Sequence, residues 1–208
     1  MTSTETGLLL DLPPGFIGMP VTNDDEANAG IATAVGQKVG AATGTSAEQF
    51  SDHLLSLTPY LKNNGIRLYG RFAVGEGPES IATLTLGTVS WSAARRERST
   101  VDRDVATAAL LDVYRRNHPR ADARPVRLPI GPALAAIEVG EFRLPPEVTG
   151  QAAEVVRLKV RAEYQIPLPG DEGLVILAVT ADSMTAWPAI ADATARLAHS
   201  LRPADTEK

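Results

Sequence analysis

Cysteine is absent from this 208-residue chain, and histidine occurs only at His53, His118 and His199. The first absence excludes a cysteine nucleophile, an iron–sulfur cluster, a thiolate zinc site and a disulfide framework. The second leaves only a mixed histidine and carboxylate metal site, which folding would have to assemble from distant segments, so no cofactor is expected. Aromatics are few, at 5%, and lysine supplies only Lys38, Lys62, Lys159 and Lys208 of the 20 basic residues. Against these stand 25 acidic residues and a formal net charge of −5, a solubilising balance with no electrostatic footprint for DNA or RNA. Long apolar runs are missing too: nothing approaches the roughly 20 consecutive apolar residues that span a bilayer. The opening MTSTETG carries no Lys or Arg, and Asp11 interrupts Leu8-Leu9-Leu10, so no secretory leader is expected and a cytoplasmic location follows as the expectation.

What is present suffices for a core. With 44% apolar residues, a chain of this length buries about 70% of its unfolded surface without staples. No Gly/Ser-rich or charged linker divides it, so one domain over residues 1–208 is expected, with disordered tails at 1–6 and 203–208. The excess of arginine over lysine and the abundance of alanine fit a GC-rich bacterial coding sequence.

Gly7 to Leu12 and Phe16 to Val21 read as short extended pieces either side of the turn Pro13-Pro14-Gly15. Thr22 to Glu26 supplies a helix cap with acidic residues in the first turn, where the helix dipole favours them. Gly30, Gly36, Gly40 and Gly44 weaken the helix that follows and imply either a closely packed neighbour or partial irregularity. A stronger helix opens at Thr45-Ser46-Ala47-Glu48, a capping box, and carries Phe50, Leu54, Leu57 and Leu61 at helical spacing until Asn63-Asn64-Gly65 stops it. His53 sits beside that stripe as a helix-surface or core-edge histidine. Ile66 to Val74 and Ser80 to Ser92 form a hairpin around Gly75-Glu76-Gly77-Pro78-Glu79. The turn imitates half of a dinucleotide fingerprint, but it contains proline and leads into a strand, so no phosphate cradle is expected.

After the charged stretch Ala93 to Arg98, a helix opening at Ser99-Thr100-Val101-Asp102 carries Val101, Val105, Ala108, Ala109, Leu111 and Tyr114 and ends in Arg115-Arg116-Asn117-His118-Pro119. Arg124 to Leu128, Ala133 to Val139 and Val155 to Ile166 are strands. In the last, Val156, Leu158, Val160, Ala162 and Tyr164 alternate with charged residues, which predicts one face in the core and the other in water. Leu174 to Thr180 is apolar enough for a central strand. A closing helix sets Trp187, Ile190, Thr194, Leu197 and Leu201 on one face, with Pro188 in its first turn. Strands in hairpin order, broken by three or four helices, predict an α+β fold in which helices pack on a single antiparallel sheet.

No G-x-S-x-G elbow, P-loop, H-E-x-x-H or EF-hand loop occurs. The acidic pairs Asp24/Asp25, Asp102/Asp104 and Asp171/Glu172 all fall at caps or turns, where capping accounts for them better than acid–base work. Residues without an obvious core role are Trp91, at a strand end, and Phe142, between Glu141 and Arg143. With the cations Arg95 and Arg96 they form the candidate partner surface, and no catalytic, cofactor or metal residue is assigned.

The order of the Leu-Leu-Leu-Asp-Leu-Pro-Pro-Gly-Phe segment, the helices and hairpin, the Gly131-Pro132-Ala133 turn, the Tyr164-Gln165-Ile166-Pro167-Leu168-Pro169-Gly170 hairpin and the closing helix resembles the PsbP-like α/β/α fold. It is also similar to short actinobacterial proteins with a Tyr-x-x-Pro-x-Pro hairpin and a C-terminal helix. The resemblance implies an α/β/α sandwich and a non-catalytic role, since PsbP-like proteins include photosystem subunits and a factor that binds a small GTPase. The signal peptide and lipobox cysteine of exported relatives have no counterpart here. The expected function is a non-enzymatic accessory or protein-binding domain in a larger bacterial assembly, for example a secretion-associated or antitoxin-like partner. Its protein partner is unidentified, and homo-oligomerisation is open. The competing expectation is a small-ligand binder or enzyme with a pocket between sheet and helices.

Overall fold

The computed structural model describes residues 7–43, 46–77, 80–90, 102–144, 155–168 and 173–204. Along them run β1 (Leu8–Leu9), β2 (Ile17–Pro20), α1 (Asp25–Thr43), α2 (Ala47–Asn63), β3 (Ile66–Ala73), β4 (Ile81–Val89) and α3 (Arg103–Asn117). There follow β5 (Asp122–Leu128), β6 (Gly131–Leu144), β7 (Val155–Pro167), β8 (Leu174–Ala181), α4 (Trp187–Ser200) and β9 (Arg202–Pro203). Strands β2 to β8 form one sheet in the order β2-β3-β4-β8-β7-β6-β5, antiparallel at every join. β8 is its central strand, as its composition predicts. β1 pairs with β9, Leu8 opposite Pro203, and the Ala204 N–H donates to the Gly7 carbonyl at 2.7 Å. Among the described residues no helix is long and apolar enough to cross a membrane.

The pairing registers assign each strand residue a face. On one face Leu84, Leu177, Val179 and Ile166 are wholly buried against Ile190, Ala193, Leu197 and Ala198 of α4. Each such aliphatic side chain contributes about 1.5–3 kcal/mol by leaving water. The predicted stripe of α4 supplies this layer, and its one polar member, Thr194, satisfies its hydroxyl by donating to Ile190 O at 2.7 Å. The other three helices cover the opposite face. α1 and α2 lie over β2 and β3 through Met19, Ala32, Leu54 and Tyr69, and α3 lies over β5 to β7 through Tyr114, Ala123, Leu134 and Ala136. The architecture is α+β, with helices on both sides of the sheet.

The glycine-rich helix α1 is continuous. Asp24 caps it, its Oδ1 accepting from the Glu26 and Ala27 N–H groups at 2.9 and 3.2 Å. Gly30 faces open space, but Gly36 is pressed on α2, where a Cβ would run into the Ser51 hydroxyl and the Ala47 carbonyl. α2 starts where the sequence reads it, with Ser46 as the N-cap, whose Oγ accepts from the Gln49 N–H at 3.3 Å. It stops at Asn63, with Gly65 at φ +68° carrying the chain into β3.

On α3 the predicted apolar stripe is rotated. Val105 is 63% exposed, and Ala108 and Ala109 are exposed as well, whereas Ala106, Thr107 and Tyr114 are buried. The sheet beneath offers small partners, Ala123 and Ala136, so the helix face that fits is the one with Ala106 and Thr107. The Thr107 hydroxyl donates to Arg103 O at 2.8 Å, which offsets its burial. Arg103 pins the helix start by donating from Nε to Pro167 O and from Nη2 to Ile130 O, both at 2.8 Å. The alternation of β7 also needs correction. Glu163, on the face expected in water, is 4% exposed, because α3 lies over that part of the strand, while Val156 and Leu158 on the expected core face are about half exposed.

Candidate functional site

β6 and β7 span 14 and 13 residues, their neighbours β5 and β8 only 7 and 8, and the excess lies at one end. β5 begins at Asp122 opposite Ile137, and β8 ends at Ala181 opposite Val160. Beyond those points β6 and β7 stay paired with each other as far as Leu144 opposite Val155. Residues 138–144 and 155–159 therefore project as a two-stranded ribbon whose outer edges meet no strand among the described residues. Side chains alternate between its faces. Ile137, Val139, Val156 and Leu158 share the face that α4 covers elsewhere on the sheet, and here they are 38%, 45%, 51% and 47% exposed. Single exposed aliphatics are ordinary, but here Val139, Val156 and Leu158 on the ribbon and Ile137 at its root share one face, with Glu141 opposite Leu158 in the register. The other face carries Glu138, Lys159 and Arg161, which with Gly140, Glu141 and Thr180 line a solvent-open cavity of about 260 Å³.

A polar cluster under the last turn of α3 holds the base of the ribbon. His118, the C-cap of α3, sets its Nδ1 3.0 Å from Glu138 Oε2, and its ring stacks on Tyr114 with centroids 4.4 Å apart. Opposite Glu138 on β7 stands Arg161, whose guanidinium pairs with the buried Glu163. Gln165 Nε2 donates to Glu163 Oε1 at 2.6 Å, completing a chain of contacts along β7. Burial, reinforced by the negative charges of Glu163 and Glu138 against the opposing Arg161, pushes the Tyr114 phenol up to about 12. The cluster's charged groups engage one another, apart from Arg161 Nε, which is buried without a hydrogen-bond partner. The His118–Glu138 contact ties the root of the ribbon to the end of α3.

A second cavity, of about 340 Å³, lies between α3 and β5 and is lined by Thr107, Leu111, Pro125 and the Arg127–Asp104 pair at 3.0 Å. Among the described residues no group of three or more histidines and carboxylates is placed to hold a metal ion.

Of the candidate surface residues read from the sequence, Trp91, Arg95 and Arg96 lie outside the described residues. Phe142 belongs to the ribbon, its backbone opposite Arg157, but its side chain is outside the described set. Of the apolar residues on this face, the sequence reading sets Val156 and Leu158 in the core and gives Ile137 and Val139 no face. No protein-family model matches the chain, and no curated protein matches it.

Proposed function

We propose that the chain is a non-catalytic, protein-binding domain of a larger bacterial assembly and that it receives its partner on the β6–β7 ribbon. The observation that carries this reading is the apolar strip of Ile137, Val139, Val156 and Leu158 on strands that outrun the sheet. Apolar surface left in water forgoes about 25 cal/mol per Å², and a hairpin without further strands is marginally stable by itself. A partner lying over the strip recovers both deficits. The cluster of His118, Glu138, Arg161 and Glu163 supports the same reading, because it ties the root of the ribbon to the end of α3. The PsbP-like resemblance of the element order agrees with a non-catalytic partner role, and we propose besides a cytoplasmic location and a secretion-associated or antitoxin-like task. The competing reading, a small-ligand binder or enzyme, would use the 340 Å³ cavity between α3 and β5.

The test is co-purification of tagged protein from its native host at low and high salt, comparing the wild type with a Val139→Glu/Leu158→Glu double variant whose altered positions are already half exposed. A stoichiometric protein retained by the wild type and lost by the variant supports the reading. A partner retained equally by both moves the site off the ribbon. A reproducible small-molecule adduct without a protein partner overturns the reading altogether.

A further inference from the structure

The chain contains five asparagines, Asn23, Asn28, Asn63, Asn64 and Asn117, and only Asn64 precedes a glycine. The joint between α2 and β3 requires that pair. Asn64 is the C-cap of α2, and Gly65 takes φ +68°, a conformation that strains a residue with a side chain. A Cβ on Gly65 would also run into the Thr88 carbonyl of β4. The same pair is chemically fragile, because a main-chain nitrogen that no following side chain shields can attack the asparagine side chain. In the folded chain both reacting groups are tied down. The Gly65 N–H donates to Lys62 O at 3.0 Å, and the Asn64 side chain is turned back on α2, its Nδ2 donating to Tyr60 O at 2.8 Å. Asn64 is exposed to water, so what holds the pair inert is the geometry of the turn and not burial.

We propose that the Asn64–Gly65 link is a site of spontaneous deamidation gated by the last turn of α2, inert while that turn is closed and reactive with water when it opens. In the open turn the Gly65 nitrogen gives its proton to a base in solution and attacks Asn64 Cγ. The new C–N bond closes a cyclic imide as the bond to Nδ2 breaks, and ammonia leaves with a proton taken from water. Water then opens the imide at either carbonyl, which gives aspartate or, with the main chain rerouted through Cβ, isoaspartate. The net change consumes one amide and one water and releases an acid and ammonia. Helix ends open locally at less cost than the whole fold. This end is held by the buried Leu61 and by Lys62, whose Nζ reaches Asp25 Oδ1 at 2.7 Å and Asn23 O at 3.2 Å. The product does not fit the closed turn. Its carboxylate has no donor for Tyr60 O and stands at the negative end of the helix dipole. The extra main-chain atom of isoaspartate falls just ahead of Ile66, where the pairing of β3 with β4 is already irregular. Once formed, the acid loosens the turn that protected the amide.

The purified full chain is kept in mildly alkaline buffer, natively and in urea. Peptide mapping by mass spectrometry follows all five asparagines, with fragmentation that separates isoaspartate from aspartate. Lys62→Met, which cuts the tie to Asp25, is followed natively in parallel, and urea titrations give the global stability of both proteins. In urea Asn64 converts ahead of the other four, at least about tenfold faster than in the native chain. Natively, Lys62→Met converts at least about threefold faster than the wild type, beyond what any loss of global stability supplies. Another asparagine leading in urea overturns the site. Equal rates with and without urea overturn its protection by the fold. Equal native rates of wild type and Lys62→Met, zero included, overturn the gating by the last turn, as does a rise that global destabilisation accounts for in full.

Discussion

Alanine at Gly30 and alanine at Gly36, two positions on one helix, are expected to move stability in opposite directions. In each case α1 gains about 0.8–1 kcal/mol of helix propensity. At Gly30 nothing lies within 4 Å of the new Cβ, so the gain is kept. At Gly36 the Cβ meets the Ser51 hydroxyl and the Ala47 backbone carbonyl, and a carbonyl cannot rotate away as a long side chain can. Forcing α2 outward carries an overpacking cost of about 1–3 kcal/mol. It also disturbs the Ser51 hydroxyl, which lies 2.8 Å from Ala47 O and 3.1 Å from Ala32 O, at a further cost of about 1–3 kcal/mol if it is left unpaired. Set against the propensity gain, the net loss is about 3 kcal/mol. For a domain of this size 1 kcal/mol moves the melting temperature by about 2–4 °C. Gly30→Ala should therefore raise it by about 2–4 °C and Gly36→Ala lower it by about 6–12 °C, in melts followed by circular dichroism with urea titrations alongside. Ser51→Ala in the Gly36→Ala background should recover only part of the loss, because the Ala47 carbonyl stays in place. If Gly36→Ala stabilised the protein as Gly30→Ala does, the close approach of α1 to α2 would be refuted.

Tyr114 should give the protein an alkaline weakness. Folding raises its pKa from 10.0 to about 12, chiefly by burial, so the unfolded phenol ionises first; the contribution is complete below pH 10 and is lost as pH rises through 12. Tyr114→Phe should flatten that alkaline fall in denaturation midpoints, and an unchanged slope would count against the buried phenol. Glu163→Gln keeps the side chain's shape but leaves Arg161 without its counter-ion. Breaking a fully buried pair costs about 3–5 kcal/mol, and because the Arg161 side chain is 43% exposed the expected loss shrinks to about 1–2 kcal/mol. A double-mutant cycle with Arg161→Met should show a coupling of at least about 0.5 kcal/mol; strict additivity would mean that the pair does not act as one.

The elements were legible where local chemistry and packing agree. Ser46 and Asn63-Asn64-Gly65 bound α2, the stripe of Ile190, Thr194 and Leu197 orients α4, and the unbroken apolar run of β8 places it at the centre of the sheet. Legibility failed where the partner surface decides. The composition of α3 allows more than one buried face, and the small residues of β5 and β6 select Ala106 and Thr107 over Val105. Alternation in β7 shows that its faces differ, but not which stretch is covered; that depends on where β8 stops and where α3 lies. Glu163 and Leu158 thus exchange their expected surroundings. The ribbon was hidden for the same reason, since a strand's overhang is a property of its neighbours' lengths.

The join between β4 and β8 also bears on how the chain reaches its fold. β2 to β4 and β5 to β8 are each runs of neighbours in sequence, but Thr83 finds Thr180 across about a hundred intervening residues. Each doubling of a closed loop adds about 0.6 kcal/mol of entropy cost, so this seam starts about 2 kcal/mol behind a ten-residue hairpin. Its rungs form late relative to the meanders on either side, and the time to bring the halves together governs the folding rate. Truncating Leu84 or Val179 at the seam then slows folding, whereas damage to an outer strand such as β2 mainly hastens unfolding. Until the seam closes, β4 and β8 each expose an apolar edge without proline, and that interval, more than the finished fold, is when one chain can mistake another for its own second half.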